Sequence, residues 1–521
     1  MKKLSILAVL MTVTVILAEY YTPITLTMRD SKVLAADVYA LDTTIAKPVI
    51  LIQTPYNKNT YRTASVWLDP ADTMTFWDMQ HYNFVTVDWR GFFASSDADS
   101  TGYDRGRDGY DCIEEIATRT FCNGRIGTYG GSALGDIQFR TAKEHPPHLV
   151  CAAPWIMDQR TDYADYYYGG AREAPRLRWH SYHFGLSIDL ITAHPTCCTP
   201  TWNYLYNTTN WVDEYEVPMF MVTGWFDHRP AQIIRDFKDM REASHPSVRE
   251  QHKLMVGPWL HNGIDQPIQG ELTYAEAAGR AEDMVMLFFD HYLRDAANNY
   301  EALPVAQFYI MPDSIWLETD DWSSVIPDND TLFLHADASL QTAPPTSDSP
   351  YTEFEYDPHN PTPSYGGELF DPLTPDLKVG PCDIRDSVES RDDVLIFTTP
   401  PLTHPITVLG SGSVVLYIFT DRTDTDFAFR LTDVYPDGRS MIMTQGIRRG
   451  RLAQTLAEEN LLTPGEVVEV EIPIRPLAMK WKTGHSLRLV ISSSNWPHFN
   501  RNLNNGGPMY EPGDTLIATN R

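Results

Sequence analysis

Short apolar runs alternate with amphipathic stretches from about residue 45 to residue 300. Segments 48–53, 84–88, 126–130, 219–223 and 253–256 are continuous, β-branched-rich and as long as a strand buried on both faces. Between them, 108–118, 133–145, 230–243 and 275–296 read as helices. Strands separated by helices predict a parallel sheet covered on both faces. Residues 150–214 interrupt this rhythm with Trp, Tyr, Pro and His, among them Tyr166, Tyr167, Tyr168, Trp179 and His180, and predict an irregular helical insertion. Beyond residue 301, Asp and Pro punctuate the chain and no long helix follows. Segments 414–419, 427–434, 467–474 and 487–493 read as strands, the pattern of a β-sandwich or jelly roll. The expected organisation is an α/β domain over 19–149 and 215–300, a helical insertion over 150–214, and a connecting segment with a β jelly-roll domain over 301–521.

The N-terminus follows a different pattern. Lys2 and Lys3 precede an apolar run over 4–17 that ends at Ala18, a basic start and a core too short to span a bilayer. Residues 1–18 are therefore expected to be a signal peptide. The mature chain is then secreted or periplasmic, with no membrane attachment after cleavage.

Composition narrows the function classes. Lys+Arg 41 against Asp+Glu 69 leaves a formal charge of −28, which repels a phosphate backbone and argues against nucleic-acid partners. Six Cys in 521 residues, without C-x-x-C spacing, are too few for a disulfide scaffold and wrong for a thiolate metal site. No His/carboxylate cluster has ligand spacing, so neither metal nor cofactor is expected. Cys112, Cys122, Cys151, Cys197, Cys198 and Cys382 leave disulfide pairing open. Cys197 and Cys198 are adjacent.

The candidate chemistry begins at Gly131-Ser132-Ala133-Leu134-Gly135, between an apolar strand and a helix. A Ser flanked by small residues at such a turn can hold its hydroxyl over the helix N-terminus, as a nucleophile elbow requires. Gly130 and Ser132 fit the G-x-S-x-G pattern, whereas Leu134 occupies the last Gly position. The competing reading is a Gly-rich loop that binds an anion through its backbone. A Ser nucleophile needs a base and the base needs a carboxylate. Strand 219–223 runs into Gly224-Trp225-Phe226-Asp227, and strand 253–256 into Gly257-Pro258-Trp259-Leu260-His261. Asp227 and His261 thus fall in loops at the strand ends where ligands bind in such sheets. His228 is the rival base, but it neighbours the acid on the same strand.

The block from Cys122 to Ser132 resembles the nucleophile region of the cocaine esterase / X-prolyl dipeptidyl peptidase (S15-type) family. That family's elbow is G-x-S-x-x-G, which accommodates Leu134. Thr54-Pro55-Tyr56-Asn57-Lys58, Asp88-Trp89-Arg90-Gly91-Phe92, the Asp227 and His261 loops, Asp433-Val434-Tyr435-Pro436-Asp437-Gly438 and Ser492-Ser493-Ser494-Asn495-Trp496-Pro497 extend the resemblance over nearly the whole chain. It implies an α/β-hydrolase fold with a helical cap and a C-terminal jelly roll, and a triad of Ser132, Asp227 and His261. It further implies that Tyr56 donates its phenol to the oxyanion beside the backbone N–H of Ala133. The family usually has Tyr at the Ala133 position, where only the N–H is required.

The resemblance spans carboxylesterases, α-amino acid ester hydrolases, cephalosporin and glutaryl acylases and X-Pro dipeptidyl peptidases. The amino-ester enzymes resemble one another in placing acids just after the catalytic Asp, where this chain has His228, Arg229 and Pro230. Asp165 is one candidate acid and is expected at the surface, while Arg229 would oppose an ammonium if it faced the pocket. The X-prolyl peptidases are generally longer. The expected activity is therefore hydrolysis of small-molecule carboxylic esters, with amide substrates as the alternative. Trp225, Phe226 and Trp259, with Trp155 and Tyr166 from the insertion, are candidate pocket walls. Two other classes compete: a noncatalytic binding module, disfavoured because all triad members are present, and a carbohydrate-binding role for the β domain through Trp481 and Trp496.

Overall fold

The structure, a computed structural model, describes residues 21–62, 78–99, 102–320, 330–346, 351–374 and 376–521. The expected signal peptide, residues 1–18, lies outside the described residues.

One ten-stranded sheet carries the architecture: β1 (Tyr21–Thr27), β2 (Val33–Tyr39), β3 (Lys47–Thr54), β4 (Asn83–Asp88), β5 (Cys122–Gly131), β6 (Leu149–Trp155), β7 (Phe220–Phe226), β8 (Lys253–Leu260), β9 (Ala306–Ile310) and β10 (Ile315–Thr319). Their spatial order is β1-β2-β4-β3-β5-β6-β7-β8-β9-β10, and all pairs from β4 to β9 are parallel. The helices are α1 (Arg105–Ala117), α2 (Ala133–Ala142), α3 (Ala174–Phe184), α4 (Ile188–Thr192), α5 (Pro200–Thr209), α6 (Pro230–Ala243) and α7 (Arg280–Arg294). Helix α2 packs against β3, β5 and β6, and α7 against β5, β6 and β7. Every residue of β4 and β7 is buried, the polar Asn83, Thr86, Asp88 and Thr223 included, as befits strands covered on both faces.

The expected α/β pattern is present, with two displaced boundaries. Strand β6 lies in the central sheet, so the insertion starts after Trp155 rather than at 150. The sheet also continues past residue 300 through β9 and β10. Helices α3, α4 and α5 form the cap around Tyr163, Tyr166, Tyr167, Leu177, Ile191 and Trp202.

The C-terminal half is β-rich. Strands β11 (Leu395–Thr398), β12 (Ile406–Ile418), β13 (Asp426–Val434), β14 (Ser440–Arg449), β15 (Val468–Trp481) and β16 (Ser486–Ser492) form a four-stranded sheet, β11-β16-β13-β14, and a long β12–β15 ribbon. All these pairings are antiparallel. Hydrogen bonds from Met311 N–H to Ala478 O (3.0 Å) and from Lys480 N–H to Met311 O (2.7 Å) fasten β15 to the end of β9. One continuous apolar core joins the two halves. Trp481 is no platform: it is fully buried and its indole donates to Thr432 O at 3.2 Å.

Candidate active site

Strand β5 ends at Gly131 and α2 begins at Ala133, leaving Ser132 alone in the turn at φ 58°, ψ −124°. A non-glycine residue held at positive φ costs roughly 1–3 kcal/mol and persists only where its surroundings enforce it. Here Ser132 N–H donates to Trp155 O at 3.0 Å, and Ser132 O accepts from Gly135 N–H (2.8 Å) and Asp136 N–H (3.0 Å). Gly130 sits at φ 138°, and a Cβ there would lie 2.5 Å from Leu134 Cβ. Leu134 therefore packs where only a glycine backbone passes. The elbow tolerates this leucine because Gly135, next in sequence, supplies the close approach to Trp155 O.

Asp227 follows β7 and His261 follows β8, on neighbouring parallel strands. At Gly224 a Cβ would stand 2.0 Å from the Trp259 carbonyl, so a side chain there would force the two loops apart. The β7–β8 register shifts between Gly257 and Leu260, just ahead of His261. His261 Nδ1–H donates to Asp227 Oδ1 at 2.9 Å, which leaves Nε2 as the nitrogen available to a nucleophile. The same oxygen accepts from the His228 backbone N–H at 2.7 Å, and Thr223 Oγ1 reaches Oδ2 at 3.4 Å. Burial opposes ionisation of Asp227, but His228 and His261 outweigh it and hold the carboxyl well below the usual carboxylate range.

The two imidazoles beside Asp227 are not equivalent. His228 Nδ1 lies 2.9 Å from Asp227 Oδ1 but makes no directional hydrogen bond. Burial pushes this imidazole well below its ordinary value, and its ring stacks on Phe370 with centroids 4.8 Å apart. Asp227, His228 and His261 are also the described group of three whose ligand atoms fall within 4.8 Å of one another. One carboxylate with two imidazoles could share a divalent cation, but the Asp227–His261 bond is what orients a base.

Tyr56 follows β3, its N–H bonded to Thr54 Oγ1 at 2.9 Å. Its phenol faces the Ser132 hydroxyl and the Ala133 backbone N–H. Burial pushes the phenol above its ordinary value and these two neighbours only partly offset this, so it stays a neutral donor. The sequence-predicted oxyanion donors thus meet beside the serine hydroxyl.

The expected pocket walls are placed differently. Trp225 donates its indole to Tyr309 O at 2.7 Å and stacks on Phe308. Phe226 and Trp259 are buried, Trp259 against Trp316. Trp155 packs edge-on against Tyr129. All four belong to the main core, and Trp155 serves the site through its carbonyl. Tyr166 lies inside the cap, its hydroxyl 2.9 Å from His180 Nδ1. The rings that surround the site come instead from α3, a loop and the β-rich half. His183 lies 5.0 Å from Tyr56 and stacks on Trp179 at 4.9 Å, while Phe92 and Phe184 flank it. Trp179 meets Phe370 at 6.4 Å, and Phe370 meets His261 at 4.4 Å. Centroid by centroid, rings join the Tyr56–Ser132 corner to His261. Sequence reasoning missed Phe370, which lies in a turn-rich stretch without periodicity. Trp179 and His183 carried one usable signal, their i,i+4 spacing on a helix.

Two charge expectations are also corrected. Asp165 is buried, paired with Arg176 and at 3.0 Å with Arg229. Arg229 is buried as well and bridges Asp165 to Asp158. Two acids and two guanidinium groups thus neutralise one another where cap, β6 loop and acid loop meet, because none could stay buried unpaired.

A parallel sheet with a positive-φ serine at a strand-to-helix turn and a hydrogen-bonded Asp–His pair at its carboxyl edge is the architecture of an α/β-hydrolase. Residues 30–195 match the X-Pro dipeptidyl-peptidase (S15 family), and residues 297–520 match the X-Pro dipeptidyl-peptidase C-terminal non-catalytic domain. The cocaine esterase of Rhodococcus sp. (strain MB1 Bresler) is 28% identical, over 92% of each chain. Among solved structures, an aminopeptidase from the marine sediment archaeon Thaumarchaeota archaeon superposes with TM-score 0.81 at 22% identity, over 96% of this chain and 94% of that one. An α-amino acid ester hydrolase has TM-score 0.79 at 20% identity with the same coverage. The chain belongs to the cocaine esterase / X-prolyl dipeptidyl peptidase (S15-type) family of α/β-hydrolases.

Proposed function

We propose that this chain is an exported serine carboxylesterase that works through an acyl-enzyme. The observation that carries the reading is that the Tyr56 phenol faces the Ser132 hydroxyl and the Ala133 N–H on a sheet edge that also holds the 2.9 Å Asp227–His261 pair. His261 Nε2 takes the Ser132 proton as Oγ attacks the ester carbonyl. The oxyanion receives the Tyr56 O–H and the Ala133 N–H, donors aimed where negative charge develops. Asp227 stabilises the imidazolium. Collapse expels the alcohol, which takes its proton from His261, and water then repeats the sequence on the acyl-serine. Export rests on Lys2, Lys3 and the apolar run that ends at Ala18.

Neutral acyl groups suit this site better than α-amino acids. An ammonium entering a partly dry pocket must be paired or its desolvation costs on the order of several kcal/mol. The nearby buried acids Asp158 and Asp165 are already committed to Arg176 and Arg229. The test measures kcat/KM for phenyl acetate, phenylglycine methyl ester and a glutaryl amide, alongside labelling of Ser132 by a phosphonate probe. Neutral ester is expected to lead by tenfold or more, an effect of about 1.4 kcal/mol. A tenfold preference for the amino ester would overturn the carboxylesterase reading, activity confined to the glutaryl amide would make the enzyme an acylase, and an unlabelled Ser132 would remove the nucleophile.

A further inference from the structure

We propose that Cys197 and Cys198 are a redox-active dithiol that closes to a vicinal disulfide at the seam between the cap and the β-rich half. Their Sγ atoms lie 3.0 Å apart. That is about 1 Å beyond an S–S bond of ~2.0 Å. It is also closer than the ~3.5–4.0 Å at which even two smaller carbon atoms make optimal contact. Cys198 holds φ 63°, a left-handed conformation that a side-chain-bearing residue rarely adopts without cause. The four other cysteines are buried, so this pair is the one open to a reagent in solution.

The surroundings keep the pair in place. The loop between α4 and α5 is tied to the cap interior by Tyr163 Oη to Pro195 O (2.8 Å) and Trp202 Nε1 to His194 O (3.0 Å), and the end of α4 before it by Tyr167 Oη to Ile191 O (2.9 Å). Cys197 N–H donates to Leu456 O at 2.8 Å, across to the β-rich half. Cys197 is half-buried against the cap core, whereas Cys198 is exposed. Burial and the neighbouring sulfur push the Cys197 thiol up to about 12, so Cys198 is the sulfur placed to react first.

The oxidant is a small disulfide, RSSR. The Cys198 thiolate attacks one of its sulfurs, forms a mixed disulfide and releases RSH once the thiolate takes up a proton. Cys197, as its thiolate, then attacks Cys198 Sγ, the S–S ring closes and the second RSH leaves. The two thiols lose two protons and two electrons, and RSSR gains them. Adjacent Cα atoms are only ~3.8 Å apart. That is shorter than the ~4.4–6.8 Å of ordinary disulfides, so the ring is strained and readily reduced. The ring joins neighbouring residues, so what it reversibly fastens is the loop at 193–199 itself, whose Cys197 N–H meets Leu456 O.

The full chain is incubated with oxidised glutathione, alkylated and digested, and the peptide containing both cysteines is weighed. It is expected to be lighter by two hydrogens and to carry no glutathione. Native thiol titration should fall from two groups to none and recover with dithiothreitol. In C197S the reaction should stop at a stable glutathione adduct on Cys198. A stable adduct on the wild-type chain, or two thiols that persist, overturns the dithiol. Limited proteolysis of the loop at 193–199 tests the fastening. Cleavage is expected to be at least about threefold slower in the oxidised chain, with no difference in C198S. Equal rates in the two wild-type states would overturn the fastening and leave only a chemical disulfide.

Discussion

Ser132, Asp227 and His261 each follow a strand of the parallel sheet, whereas the rings around them come from cap helix α3, the Phe92 loop and Phe370 of the β-rich half. Backbone hydrogen bonds and close glycine contacts fix the first group, so its geometry belongs to the sheet. Packing between three separate parts of the chain fixes the second, with few directional bonds. The difference predicts a division of labour. Changes at the strand ends should remove chemistry and lower kcat, while changes in the aromatic surround should alter binding and selectivity.

The strongest way to break that division is Ser132→Ala. Folding should survive, because the turn is held by main-chain bonds at Trp155, Gly135 and Asp136. Hydrolysis of p-nitrophenyl esters should fall by several orders of magnitude, leaving a residual rate from binding and the oxyanion donors. Retention of more than about a tenth of the activity, worth only ~1.4 kcal/mol, would mean that another residue attacks the ester.

Next come the partners of the serine. Asp227→Asn and His261→Ala should each cripple turnover, since an amide neither stabilises the imidazolium nor fixes its tautomer. His228→Ala should be mild: its ring makes no directional bond to Asp227, and the backbone N–H that does is kept in the variant. Steady-state kinetics on the three variants decides the base, and the opposite ranking of the histidines would transfer the role to His228. Tyr56→Phe should lower kcat by roughly 10²–10³ with a smaller change in KM. An unchanged kcat would reduce Tyr56 to packing against His183.

The same contrast governs what could be read from the sequence. Strand ends were legible because an apolar run followed by glycine marks a turn wherever the chain then goes, and three such turns delivered Ser132, Asp227 and His261. Tyr56 came from family resemblance, since Pro55-Tyr56-Asn57 by itself reads as a turn. The aromatic surround was not legible. Strand β7 is buried on both faces, so no alternation separates a core ring from a pocket ring, and Trp225 and Phe226 fell to the core. Arg229 and Asp165 illustrate the matching limit for charge. A lone charged residue reads as solvated, and only the folded chain brings partners 64 residues apart to 3.0 Å. The boundary displaced from 150 to Trp155 has a simpler origin, because β6 directly adjoins the composition change that marks the insertion and was counted with it.

Phe370→Ala sharpens the comparison with the smallest expected effect. Phe370 touches His261 and stacks on His228, yet it contributes no hydrogen bond to the Asp227–His261 pair, which is built from strand-end loops alone. Removing its ring should widen the site and lose apolar contact to the acyl group in ground and transition state alike. Binding lost equally in both states raises KM and leaves kcat in place. KM for a benzoate ester is therefore expected to rise about tenfold, or ~1.4 kcal/mol, with kcat within about threefold and a smaller change for acetate. The acetate arm discriminates between two ways of failing. A kcat that collapses for both esters would mean that Phe370 holds the base in position, and the β-rich half would then belong to the chemistry. An unchanged KM for both would place the acyl group elsewhere, away from the rings that link Tyr56 to His261.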